Sequence, residues 1–483
     1  MKKLYELLEV KHSCREEVVT DLYDDSRCIV PGCMFAALSK NAEDRENHVN
    51  EAISRGAKYI LQECENPHIT MENGVLFLFV KNIRAEWARI ASRFFESDFE
   101  NIVAITGTNG KSSALDILRQ IWLKSKIKSA SIGTLGVITA ESCEKLPHNM
   151  TSPDCLELHK ILHKLRESGI KNIAMEATSQ GIEQYRIDEI EFSVCAFTNF
   201  TQDHLDYHQT FENYWNAKAR LFMELASKES IFVVNDDDPR SKKIYAIARD
   251  RGIECRGYGY NSQDVKIIDV VAAGLHQRVR VSFYGKKFSF VLPLQGIFQI
   301  HNALCAASIA YVIGLDSEEI VEKLQKLQSI NGRLELVSSF KLAHIYIDYA
   351  HTPDALQNAI LSLKNHTKRR IITIFGCGGN RDHQKRVLMG KIAEKFSDLV
   401  IVTDDNPRDE DPKQIRKMIL EGCQNAIEIA DRKIAIEFAM EMLSDGDTLL
   451  VAGKGHETHQ QVGSKLLEFS DRSVILEKVE SEK

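Results

Sequence analysis

Residues 101–113 read NIVAITGTNGKSS. An apolar run of strand type breaks into Thr106-Gly107-Thr108-Asn109-Gly110-Lys111-Ser112 and then turns helix-like, which predicts a phosphate-binding loop. Gly107 and Gly110 let the backbone aim N–H groups at an anion, Lys111 can reach terminal phosphates, and the Ser112 hydroxyl can bind Mg²⁺. The general pattern places a further glycine where this chain has Ile105, so the loop is shorter than the common one. Gly-Lys-Ser also occurs at ordinary helix starts; the preceding strand sets this instance apart.

Outward from that loop, 483 residues predict about three domains. Hydrophobic content of 43% and charged content of 27% are those of a globular chain. The net charge of −7 argues against broad nucleic-acid or anionic-membrane binding and points to small-molecule substrates. Eleven cysteines are scattered with no C-x-x-C pair, as expected of buried thiols in a reducing compartment. No apolar run approaches the roughly 20 residues needed to cross a bilayer, and the first residues lack a sustained apolar core. The expectation is a cytoplasmic monomer with no nucleic-acid partner and no membrane insertion.

Residues 1–93 predict a small α/β domain, with strands at Cys28 to Leu38, Lys58 to Gln62 and Val75 to Val80 and a helix at Asn47 to Arg55. Residues 94–329 alternate apolar strands with amphipathic helices, predicting a mostly parallel sheet of phosphate-loop type, and residues 330–483 repeat the alternation as a Rossmann-like domain. In such sheets ligands sit outside the carboxyl ends of the strands. Polar residues cluster there. Ile173 to Met175 leads into Glu176-Ala177-Thr178-Ser179-Gln180, and Val194 to Phe197 into Thr198-Asn199-Phe200-Thr201-Gln202-Asp203-His204. Ile371 to Phe375 opens into GCGGNRD, Leu399 to Val402 into TDDNPRDEDP, and Thr448 to Val451 into AGKGHE. Arg381, Arg408 and Glu457 are thereby expected on one crevice.

Glu176 and His204 lie just past the ends of two strands of the nucleotide-binding sheet and are expected close enough to share a cation, although oxygen ligands suit Mg²⁺ better than imidazole. Taken alone, His204 reads as a hydrogen-bonded loop histidine and Lys218, in the helical stretch Phe211 to Leu225, as a solvated lysine.

Taken together these residues resemble the Mur ligases. The resemblance rests on Gly107 to Ser112, on Thr198-Asn199 followed by Asp203-His204-Leu205-Asp206-Tyr207-His208, and on Tyr214-Trp215-Asn216-Ala217-Lys218. Asp25-Ser26-Arg27, Gly296 with His301-Asn302, Gly332-Arg333-Leu334-Glu335, Asp348 to Asp354 and Gly453-Lys454-Gly455-His456-Glu457 come in the family's order, so the match covers nearly the whole chain. Asp405-Asn406-Pro407-Arg408 is similar to the family branch that adds meso-diaminopimelate.

The resemblance implies an α/β fold in three domains, a central ATPase domain between a UDP-sugar-binding and an amino-acid-binding domain. It further implies that ATP phosphorylates the γ-carboxylate of the D-glutamate in a UDP-N-acetylmuramoyl dipeptide, and that the amine of meso-diaminopimelate attacks the acyl phosphate. By the same resemblance ATP is held by Gly107, Thr108, Asn109, Gly110, Lys111, Ser112, Ser113, Asn302, Arg333 and Asp348. Mg²⁺ is held by Ser112, Glu176, His204 and Lys218, the last as a carbamate, since a bare ammonium would be repelled. Lys111, Glu176, His204 and Lys218 form the implied catalytic set. Ser26, Thr151, Ser152, Ser179, Gln184 and Arg186 contact the UDP-sugar peptide, and Arg381, Asp405, Asn406, Pro407, Arg408, Gly453 and Glu457 the diamino acid.

The chain departs from the family at Gln180, where many relatives carry a titratable histidine, and at Asn331, where proline is usual. Lys40-Asn41 replaces the glycine-bearing nucleotide-sugar loop, and Ser112-Ser113 replaces the commoner threonines. Three alternatives remain open to the sequence: the same ligation with L-lysine, folylpolyglutamate synthesis, and an ATP-driven switch that makes no amide.

Overall fold

The computed structural model describes residues 1–8, 17–146, 150–364 and 366–482. Two compact units emerge. One comprises Met1–Ala104, Lys128–Cys195 and Ala217–Ser230, the other Ile105–Ile127, Ala196–Asn216 and Ile231–Lys483.

The first unit contains a five-stranded sheet in the order Leu22–Tyr23, Met34–Ala36, Tyr59–Glu63, Val75–Val80, His68–Glu72, parallel except at the last strand. One face packs Leu4, Leu7, Trp87 and Ile90, the other Phe35, Val49 and Ile60. The helix expected at Asn47 to Arg55 runs over Ala42–Ser54, starting earlier because the Asn41 side chain accepts from the Glu43 and Asp44 N–H groups. The strand expected over Cys28 to Leu38 is corrected to Met34–Ala36. Ser26–Cys28 is a 3₁₀ turn, and Pro31 and the positive φ of Gly32 interrupt the rest. The same unit carries Cys143–Glu144, Gly136–Ile138, Ser129–Gly133 and Asn172–Glu176 in that sheet order, the first two pairs antiparallel and the last pair parallel.

In the second unit Ile231–Asn235, Glu254–Gly259 and Val265–Ala273 pair in parallel, and a meander continues antiparallel through His276–Phe283 to Lys286–Leu292. The sheet expected to be mostly parallel therefore has an antiparallel extension. Burial alternates along His276–Phe283, as in a strand with one face on the core. A six-stranded sheet comes next in the order Glu335–Phe340, Ala343–Asp348, Thr448–Ala452, Ile371–Phe375, Leu399–Val402, Ile427–Glu428, parallel after the first pair. Apolar clusters cover both faces, Leu356, Ile360 and Met389 on one and Ile436, Met440 and Ile475 on the other. Such double coverage leaves the strand ends as the place for polar chemistry.

Candidate active site

The strand Asn101–Thr106 ends at the phosphate loop, and Gly110 at φ 87° starts the helix Lys111–Lys124 with no side-chain cap. Its first amides are thus left for an anion. A Cβ on Gly107, whose φ is 146°, would stand 2.0 Å from Thr198 Oγ1. The loop is tied to the neighbouring strand end: Thr108 N donates to Asn199 O at 2.9 Å, Asn109 N to Asn199 Oδ1 at 2.9 Å, and Thr198 Oγ1 to Asn109 O at 2.6 Å. Lys111 Nζ folds back onto the carbonyls of Gly107 at 2.9 Å and Thr108 at 2.8 Å.

Three further expected ATP residues stand in this unit. Asn302 lies against the loop, its Oδ1 2.3 Å from where a Gly110 Cβ would be. Arg333 stacks 4.5 Å from the Tyr349 ring centroid and donates from Nη2 to Ser112 Oγ at 2.9 Å, while its buried Nε has no acceptor among the described residues. Such an orphan donor, beside an uncapped helix start and a lysine, fits a polyphosphate. Asp348 accepts from Leu334 N at 2.6 Å and Ala350 N at 2.8 Å; burial pushes its carboxyl up to about 6, against the Arg333 charge and both N–H groups. Ser113 is buried in the first helical turn.

His204 has φ 53° and lies 3.4 Å from the buried Asp203, which His351 approaches to 3.8 Å. Burial opposes ionisation of Asp203, yet the charges of His204, His351 and Lys385 hold it well below the usual carboxylate range. In the first unit Glu176 is the last residue of its strand, not the first beyond it, and its Oε1 accepts from Thr134 N at 2.8 Å. Lys218 is only 2% exposed within the helix Phe211–Arg220, which continues as a π turn over Leu221–Leu225; the solvated-lysine reading is overturned. Among the described residues no group of three or more His, Cys, Asp or Glu side chains forms a metal cage. The hydroxyl of Ser112 and the carboxylate of Glu176 are nonetheless oxygen donors of the kind Mg²⁺ takes.

Of the expected UDP-sugar contacts, Ser26 donates its hydroxyl to Glu51 at 2.5 Å. Arg186 grips the stretch that carries the others: Nη1 donates to Ser152 O at 3.0 Å, Nη2 to Gln184 Oε1 at 2.8 Å, and Nε lies 3.2 Å from Asp154. Thr151 Oγ1 pairs with Thr134 Oγ1 at 3.1 Å, Ser152 Oγ donates to Glu176 O at 2.9 Å, and buried Ser179 begins the short helix Ser179–Glu183. This links the Glu176 strand end to Arg186.

In the second unit the three loops expected to converge do so. Arg408 Nη1 donates to Gly379 O at 2.7 Å, Asn406 Nδ2 to Glu457 Oε2 at 2.8 Å, and Gly453 lies against Asp405, whose Oδ2 is 2.7 Å from a would-be Cβ. Gly379 N donates to Asn406 O at 2.9 Å. Arg408, at φ 51°, bridges to the hairpin His459–Val462 and Lys465–Glu468 through Arg408 N to Gln461 O at 3.1 Å, with Gly463 N donating back to Arg408 O at 2.7 Å. Burial, with the Arg381 charge adding to it, pulls the Arg408 guanidinium below its ordinary range. Its charge is not spent on Asp409 or Asp411: Asp409 accepts from Asn380 Nδ2 at 2.9 Å, and Asp411 caps the helix Pro412–Leu420. Asp405, despite burial, is held below its usual range by Lys454 and Arg432. Sequence reasoning passed over Lys454 and Tyr349, although both lie inside motifs it used.

Residues 105–310 match the Mur ligase middle domain and residues 332–455 the Mur ligase glutamate ligase domain. A UDP-N-acetylmuramoyl-L-alanyl-D-glutamate–2,6-diaminopimelate ligase of Agrobacterium fabrum is 43% identical over 452 residues, covering 93% of this chain and 91% of its own. The chain belongs to the Mur ligase family. The enzyme of the same name from Bradyrhizobium diazoefficiens is 40% identical, covering 95% of this chain and 94% of that one. A solved structure of a ligase of that name superposes with a TM-score of 0.72 at 28% identity, covering 100% of this Mur ligase and 99% of the other chain. A folylpolyglutamate synthase of Mycobacterium tuberculosis shares the fold at TM-score 0.65 and 17% identity, over 77% of this chain and 92% of that one.

Proposed function

We propose that this Mur ligase joins meso-diaminopimelate to UDP-N-acetylmuramoyl-L-alanyl-D-glutamate at the expense of ATP, as its relatives' names state for them. The observation that carries the choice of amino acid is the half-buried Arg408 guanidinium beside Arg381, with no carboxylate bound to either among the described residues. meso-Diaminopimelate ends in a carboxylate and an ammonium, whereas L-lysine ends in an ammonium alone. A fork of two guanidiniums pairs with the first and repels the second.

A free carboxylate resists amine attack at neutral pH, so phosphorylation of the D-glutamate γ-carboxylate supplies the leaving group. Lys111 and the amides of the loop helix steady the transferring phosphoryl group, and Arg333 and Asn302 flank it. Asp348 takes the ribose hydroxyls. Mg²⁺, when bound, neutralises phosphate charge, and we assign its holding to Ser112, Glu176, His204 and a carbamate on Lys218. The roles of Ser113, Ser26, Thr151, Ser152, Ser179, Gln184 and Arg186 rest on the family resemblance, as do the three domains 1–93, 94–329 and 330–483. Asp405, Asn406, Pro407, Gly453 and Glu457 line the diamino-acid side. No helix among the described residues is long and apolar enough to cross a membrane; the monomer and the cytoplasmic location remain part of the proposal.

The test is ADP release measured with UDP-N-acetylmuramoyl-L-alanyl-D-glutamate and each of meso-diaminopimelate and L-lysine. Release that needs the UDP-dipeptide and the diacid is expected. Equal use of lysine would overturn the choice of amino acid, and release without either acceptor would favour a switch.

A further inference from the structure

Lys454 is 0% exposed, a position that costs a lysine several kcal/mol unless its charge is fully met. It is met. The ammonium has three N–H groups and three acceptors: Asn406 Oδ1 at 3.0 Å, Glu457 Oε2 at 2.8 Å and His459 O at 2.7 Å. These belong to the loop after Leu399–Val402, the loop after Thr448–Ala452, and the start of the hairpin. Asn406 Nδ2 donates to the same Glu457 Oε2, and Asn406 Oδ1 accepts as well from Gln461 N at 2.9 Å.

The geometry of this triangle decides two orientations. Asn406 must point its oxygen at Lys454 and Gln461 and its amide nitrogen at Glu457. Glu457 has Oε2 occupied twice, while Oε1 carries no hydrogen bond among the described residues and the side chain remains 28% exposed. We infer that Lys454 is the positioning residue of the diamino-acid pocket, locking Asn406 and Glu457 into one body whose unspent carboxylate oxygen receives a substrate ammonium. Buried as it is, Lys454 acts through these two side chains and does not touch the substrate. The inference rests on the diaminopimelate reading of the pocket.

The test is steady-state kinetics of Lys454→Met, of Glu457→Gln and of the double variant, with ADP binding by calorimetry as the check that the nucleotide side is intact. Lys454→Met should raise the KM for meso-diaminopimelate by roughly 30-fold or more, while the KM for ATP and for the UDP-dipeptide moves by no more than about twofold. In the Glu457→Gln background the same change should multiply the KM by clearly less than it does alone, since part of its effect passes through Glu457. Lys454→Gln, which keeps a donor, should fall between Lys454→Met and wild type and serves if the methionine variant does not fold. Multiplying factors in the double variant, or a KM unchanged in Lys454→Met, would overturn the inference. Loss of ADP binding in both Lys454 variants would overturn it too, assigning the lysine to folding. An unchanged KM in Glu457→Gln would instead bring down the reading of the pocket itself.

Discussion

The phosphate loop and the proposed diamino-acid pocket stand in the same compact unit, yet they are built in opposite ways. The loop is one contiguous run whose charge recognition comes from backbone amides, two glycines and a single lysine that rests on the loop's own carbonyls. The pocket is assembled from three strand ends and held by interlocked side chains: Lys454 meets Glu457 and Asn406, and Arg386 meets Glu410 in the loop after Leu399–Val402. Backbone recognition suits phosphate, whose oxygens accept from several N–H groups at once. Side-chain recognition suits the amino acid, where discrimination between similar ligands is required.

This contrast breaks first at Lys111. Lys111→Ala should lower kcat by about 10²–10³-fold with the thermal midpoint little changed, because the lysine acts on charge that develops during transfer. A rate within tenfold of wild type would show that the amides suffice without it. Next is Arg408→Ala, expected to raise the KM for meso-diaminopimelate by about 10- to 100-fold, the worth of a charge-assisted pair, and to erase selectivity against L-lysine in competition assays. Unaltered selectivity would move the discrimination elsewhere. Third, Gly107→Ala should cost about 2–4 kcal/mol of stability in chemical denaturation, since the added methyl meets Thr198 and the backbone angle is unfavourable.

The smallest effect is one of pH. The folded protein holds the Asp348 proton up to about pH 6, whereas an unfolded aspartate releases it near 3.8. The carboxyl therefore favours the fold below pH 3.8, and that contribution, about 3 kcal/mol, is lost as the pH rises through 6. At pH 7 a buried carboxylate is ready to accept the ribose hydroxyls, so the KM for ATP should rise several-fold as the pH falls from 7 to 5.5. Asp405 is held below its usual range, so the KM for the amino acid should stay flat over the same interval. Parallel movement of both constants in pH-resolved kinetics would end the distinction.

The same contrast explains what was legible in the sequence. Contiguous features read correctly: the loop, the strands Val75–Val80, Val194–Phe197, Ile371–Phe375 and Leu399–Val402, and the convergence of the three loops at the ends of the last sheet's strands. The Cys28 to Leu38 strand failed because apolar composition outweighed Pro31-Gly32 in the reading. The meander from Val265 to Leu292 was missed because exposed Lys266, Arg278, Arg280, Lys286 and Lys287 dilute its apolar signal. Burial of Lys218 and Lys454 was not readable at all. A lysine is a surface residue by default, and for Lys454 the Asn406 acceptor lies 48 positions away in the chain.

The hook of Arg333 onto Ser112 would, on the proposed reading of the site, set an order of events. The guanidinium lies over the Tyr349 ring and its Nη2 takes the hydroxyl that a divalent ion would need. A metal arriving without nucleotide meets a positive charge already in residence. A triphosphate gives Arg333 a better acceptor, drawing it off the hydroxyl as the phosphates settle. A divalent ion held by Ser112 would therefore enter with the nucleotide and not before it, and millimolar free cation should do little to the empty enzyme.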